Sequence, residues 1–168
     1  MKEKIIIKDN FFSKDILDLI QKDLLRLKFK NRYTDLRNVV YQKIYFHVPL
    51  NIKHFAIKEM IKNVKEYDLQ IKNLDASYYF LSTKHKEATP HSDNGFINCL
   101  IYLKGTHSVN NGTGFYDLID NKFQLNTHVG FKENRAIIFD GDIDHTSLQF
   151  NENCGPRYVM ANFFKKID

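Results

Sequence analysis

Proline, glycine and cysteine are all scarce in this chain: three, seven and two in 168 residues. Each shortage excludes something. No proline-, glycine- or serine-rich stretch marks a linker or a low-complexity tract, and no internal repeat is visible. Cys99 and Cys154 are too few for a disulfide framework, and both are read as reduced thiols. No apolar run approaches the roughly 18 residues that a membrane span needs. The opening MKEKIIIKDN offers only Ile5 to Ile7 before Asp9 interrupts it, which is no export signal, so a cytoplasmic protein is expected. What is present is the material of a core, with 43% hydrophobic and 14% aromatic residues, and this excludes disorder. At this size a chain buries roughly 68–70% of its unfolded surface, enough for one self-sufficient domain over 1–168.

Arginine is scarce too: five against twenty lysines, within a net charge of +5. The lysines are scattered rather than blocked, the pattern of a solvated surface more than of a nucleic-acid footprint.

Two helical patterns stand in the first 70 residues. From Ser13, a candidate N-cap, Ile16, Ile20, Leu24 and Leu27 recur every three or four positions; from Asn51, Ile57, Ile61 and Val64 do the same, with Phe55 and Met60 widening the stripe. Val39 to His47, β-branched and aromatic, predicts a strand or two between them. Beyond residue 70 the chain reads as short strands over 76–82, 97–103, 114–119, 136–140, 145–150 and 157–164. Turn chemistry at Asp93-Asn94-Gly95, Asn110-Asn111-Gly112, Asp140-Gly141-Asp142 and Cys154-Gly155-Pro156 separates them. The expected fold is mainly β (α+β): a helical lead-in over about 1–70, then a small barrel over about 71–165.

Seven histidines and fourteen aspartates yield about 0.6 His-x-Asp pairs by chance, so His91-Ser92-Asp93 alone carries little, and His85-Lys86-Glu87 has the same form within a solvated charged run. His91 and Asp93 precede an alternating strand, however, and residues i and i+2 of an extended chain point to one side. His145 opens a later strand. Two histidines and one carboxylate make the facial set that holds Fe(II) with open positions, as oxygen chemistry requires. Arg157 opens the apolar strand RYVMANFF, where a guanidinium asks for a buried anionic partner such as a carboxylate.

The segments ATPHSDNG, NCLIYLKG, NNGTGFYD, AIIFDGDIDHTSLQF and RYVMANFF, with the lead-in IKDNFFSKDILDLI, resemble the 2-oxoglutarate- and Fe(II)-dependent dioxygenases of the prolyl 4-hydroxylase-like branch, over about residues 5–164. The resemblance implies a double-stranded β-helix with two helices packed outside, and iron on His91, Asp93 and His145. It implies 2-oxoglutarate as co-substrate beside O2, with ascorbate in support and the far carboxylate on Arg157 and Tyr102. Alternation puts Asn98 and Leu100 on Tyr102's face, Val159 and Ala161 on Arg157's, and Ser147 inward beside His145, so these line the same pocket. Tyr79 stands two residues from the family's second tyrosine position. The implied reaction hydroxylates a C–H bond of a peptidyl or free amino-acid side chain and releases succinate and CO2. A nucleic-acid-modifying oxygenase is the alternative, though its usual second arginine is absent after Arg157. A non-catalytic β-barrel binding module is another, against which stands the intact donor set.

Other features fit plainer roles. Asp140, Asp142 and Asp144 do not make a calcium loop, since the sixth and twelfth positions from Asp140 are His145 and Asn151. Cys99, out of phase with Asn98 and Leu100, is expected to pack away from the metal. His47, His54, His107 and His128 lack a partner pattern. Oligomeric state is not encoded in any pattern read here.

Overall fold

The computed structural model describes residues 5–34, 40–45, 48–63, 77–83, 89–149 and 157–165. Among them the elements run β1 (Ile5–Lys8), α1 (Lys14–Leu24), β2 (Lys30–Thr34), β3 (Val40–Tyr45), α2 (Leu50–Asn63), β4 (Ser77–Thr83), β5 (Phe96–Lys104), β6 (Ser108–Ile119), β7 (Lys122–Phe131), β8 (Arg135–Asp140), β9 (Asp144–Gln149) and β10 (Arg157–Lys165). Antiparallel pairing sorts the strands into a seven-stranded sheet, β1-β8-β5-β10-β4-β3-β2, and a three-stranded sheet, β7-β6-β9. The mainly β architecture with two helices is therefore the one expected.

Period-two alternation divides the interior into two cores. Ile97, Cys99, Ile101 and Leu103 of β5, Ala136 and Ile138 of β8, and Met160 and Phe164 of β10 pack with Leu17, Ile20 and Leu24 of α1 and Ile52, Ala56 and Ile57 of α2. On the other face Tyr102, Ile137, Phe139 and Val159 meet Phe115, Val129 and Phe131 from the small sheet. Cys99 lies on the helix side, as its phase required, and burial pushes its thiol up, so it stays protonated and inert. Asn134, at positive φ, uses both ends of its amide on the backbone of Phe12 and so ties the turn before β8 to the entry of α1.

Several expectations need correction. Ser13 occupies the N-cap of α1 but its side chain makes no capping bond. Helix α2 is buried through its early turns, and Ile61, one turn past Ile57, emerges 56% exposed. Asn110-Asn111-Gly112 is no turn: it lies inside β6, where the register to β7 jumps between Ser108 and Gly112. Glycine is required at 112 because a Cβ there would overlap the Val129 carbonyl. The real turn is Asp120-Asn121, both at positive φ, joining Ile119 to Lys122 as a two-residue hairpin. Strand β7 beyond it, and the polar β2, were not expected. The lead-in supplies β1, β2 and β3 to the large sheet. Val64, His47, His85, Glu87 and Cys154 lie outside the described residues.

Candidate active site

His91 lies at the β9 edge of the small sheet. His91 and His145 form a one-residue antiparallel bridge, N–H of each to C=O of the other at 3.1 and 2.9 Å, so His91 extends the small sheet by a single rung beside β9. The chain then turns, and the Asp93 N–H donates to the Gly141 carbonyl at 2.7 Å while the Gly141 N–H donates to Phe96 at 2.8 Å. The β8–β9 turn thus presses on the Asp93 loop. A Cβ on Gly141 would overlap the Asp93 carbonyl and stand 2.7 Å from that of Phe96, so close approach, not conformation, demands glycine there.

These contacts bring one ligand atom each from His91, Asp93 and His145 within 4.8 Å of one another. The His145 Nε2 lies 3.4 Å from Asp93 Oδ2, and the imidazole packs edge-on against Phe139 at 4.7 Å between ring centres. Its Nδ1 lies 2.9 Å from the Ile143 carbonyl; His91 Nδ1 lies 3.3 Å from that of Thr89. A carbonyl only accepts, so each Nδ1 carries a hydrogen, and Nε2 is the atom each ring can offer a metal once it holds no proton. Burial alone would raise the Asp93 carboxyl, but the hydrogen bond and charge at His145, with the Asn98 amide, outweigh it and hold the group below its ordinary value. Two imidazoles and a carboxylate are the donor set that suits a divalent transition metal, and the spacing of their ligand atoms fits one ion.

Behind this set, Arg157 is buried in the interior. Its Nη1 donates to the carbonyls of Gly112 and Leu148, its Nε has no partner, and among the described residues no carboxylate pairs with it. Burial pulls it below its ordinary value, partly offset by the nearby Tyr102, yet a guanidinium remains a cation. A buried cation without a carboxylate partner is expensive, so its surroundings are suited to an incoming anion. Tyr102 stands with it, its hydroxyl 2.8 Å from Thr113 Oγ1 and 3.4 Å from the Val129 carbonyl. Burial raises the Tyr102 hydroxyl, partly countered by the charge of Arg157 and by Thr113, which leaves a neutral donor for a carboxylate.

The remaining expected residues are less central. Asn98 reaches Asp93, its Nδ2 donating to Oδ2 at 2.7 Å. Leu100 is partly buried against the inter-sheet core. Ala161 lies between Leu100 and Tyr79 in the β5-β10-β4 register, and Ser147 lies opposite Thr113 on β6. Thr113 was missed. Its strand was expected to begin at Gly114, which left Thr113 in a supposed turn, although it alternates correctly with Phe115. Among the described residues His54 and His107 are exposed and stand apart from the triad.

No family model and no curated protein matches the chain. Solved structures do. HygX from Streptomyces hygroscopicus, with nickel, 2-oxoglutarate and hygromycin B bound, superposes with a TM-score of 0.70 at 13% identity, covering 97% of this chain and 83% of that one. A Pseudomonas putida prolyl-4-hydroxylase gives 0.64 at 11% identity over 98% and 94% of the two chains. A prolyl hydroxylase in complex with a hypoxia inducible factor peptide fragment, from Trichoplax adhaerens, gives 0.64 at 15% over 96% and 83%. At such identities the likeness concerns the fold, and the fold of this chain is the double-stranded β-helix that these oxygenases share.

Proposed function

We propose that this protein is a single-domain, cytoplasmic Fe(II)- and 2-oxoglutarate-dependent dioxygenase, which hydroxylates a C–H bond of a peptidyl or free amino-acid side chain. One observation carries the reading: a two-histidine, one-carboxylate cluster and a buried arginine that no described carboxylate neutralises occupy the same β-helix. The first fits a divalent metal and the second a carboxylate; a bidentate 2-oxo acid whose far end is a second carboxylate satisfies both.

In this reading His91, Asp93 and His145 hold the metal, and Arg157 with Tyr102 holds the far carboxylate, the tyrosine hydroxyl donating in place of its bond to Thr113. Fe(II) at this site supplies the redox chemistry by which O2 and 2-oxoglutarate become succinate and CO2 while one oxygen atom enters the substrate as hydroxyl. The protein's own part is placement. Three ligands leave coordination positions open. Phe115, Phe139 and Val159, all buried, keep bulk water from the interior. The Nδ1–H bonds of the histidines lock both rings in the metal-binding tautomer.

The reading is tested by incubating the purified protein with Fe(II), ascorbate and 2-oxoglutarate. Slow, iron-dependent succinate release without added substrate is expected. No succinate, together with no thermal shift on adding metal and co-substrate, would leave a non-catalytic binding module.

A further inference from the structure

Asn98 breaks the rule of its surroundings. It is fully buried, its Nδ2 donates to Asp93 Oδ2 at 2.7 Å, and its Oδ1 is buried with no partner. A carboxylate only accepts, so the amide cannot be flipped to satisfy its oxygen instead. A half-satisfied buried amide costs stability that an apolar residue would not. Asn162 has an equally unpartnered Oδ1, and what sets Asn98 apart is that it gives its Nδ2 hydrogen to a carboxylate of the metal cluster, not to backbone.

We infer that Asn98 is a positioning residue, whose amide holds the Asp93 carboxylate where it meets His91 and His145, instead of contacting the co-substrate. The inference rests on the metal-centre reading above. The backbone of Asp93 is pinned by Gly141, but that bond does not fix rotation of the carboxylate. Two side chains touch it in the described structure, Asn98 and His145. Once the His145 Nε2 lone pair faces an ion, that nitrogen has no hydrogen to give Asp93, because its ring hydrogen is on Nδ1, toward Ile143. Asn98 is then the described side chain still donating to the carboxylate. An outer partner of this kind both aims a ligand and limits its swing, and its loss typically weakens metal binding about 10–100-fold.

Cobalt(II) titration followed by visible absorption tests this on four proteins: wild type, Asn98→Leu, Asn98→Ala and Asn162→Leu. Asn162 is the control. It is equally buried, on the opposite face of β10, and its amide donates to the Cys99 carbonyl, away from the triad. Both Asn98 variants should bind cobalt about 10–100-fold more weakly with an altered ligand-field spectrum, and Asn162→Leu should match wild type in both. Asn98→Ala leaves room for water and gives the same reading should the leucine variant fail to fold. Wild-type affinity and spectrum in the Asn98 variants would overturn the inference, as would an equal loss in Asn162→Leu. Failure of wild type itself to bind cobalt would instead overturn the metal-centre reading.

Discussion

On the helix-facing side of β5, Ile97, Cys99, Ile101 and Leu103 are sealed under α1 and α2; on the other side of the same strand, Asn98, Leu100 and Tyr102 look toward the small sheet. The contrast repeats on β10, where Met160 and Phe164 join the helix side while Arg157 lies among the carbonyls of Gly112 and Leu148. Asn162 interrupts the helix side, but it serves only backbone. One strand therefore does two jobs. Its outer face supplies stability through apolar burial, and its inner face gives up part of it to buried polar groups that the described residues only partly satisfy.

Substitutions on the two faces should separate these jobs. Ile101→Ala, on the fully buried helix side, should lower unfolding free energy by about 2–5 kcal/mol in chemical denaturation, with 2-oxoglutarate affinity of the folded protein unchanged. Arg157→Ala should do the reverse. It removes a buried cation that no described carboxylate neutralises, so the apoprotein should lose little stability, whereas co-substrate affinity should fall by about 2–5 kcal/mol, the cost of truncating one partner of a buried charge pair. That is roughly 30-fold to several thousand-fold in Kd by calorimetry. Equal losses of stability in both variants would erase the distinction.

A smaller effect is expected at the rim. Asp9 accepts from Lys132 at 2.7 Å and from Arg135 Nε at 2.7 Å, and these bonds, against a modest burial penalty, lower its carboxyl to about 2. A depressed folded value means stability that is present above the ordinary carboxylate range near 4 and lost as pH falls toward 2. The cluster is partly exposed, so Asp9→Asn should cost about 1 kcal/mol or less at pH 7. The gap to wild type should close in thermal melts between pH 4 and 2; a gap that persists there would point to packing at β1 instead.

Legibility in the sequence followed the same division. The triad and Arg157 could be read because their chemistry is unusual for their setting: an arginine opening an apolar strand, a histidine at each of two strand starts, a carboxylate two residues from one of them. Alternation assigned Cys99 to the helix side and Asn98 to the inner face. Features that depend on backbone approach could not be read. Gly112 and Gly141 looked like turn residues, yet both serve close contact with another strand or loop. Strand β7 escaped because Asp120-Asn121 turns the hairpin without glycine, and Thr113 escaped with the misplaced start of β6. The ionic clip at Asp9 joins residues more than 120 positions apart, a pairing no local pattern announces.

The account depends on three side chains sharing one ion, and metal stoichiometry measures that directly. Cobalt(II) or manganese(II) titrated into the wild-type protein should saturate at one ion per chain, and His145→Ala should hold none at the same concentrations, since two protein ligands retain a divalent ion poorly. One ion bound by His145→Ala with undiminished affinity would contradict the account.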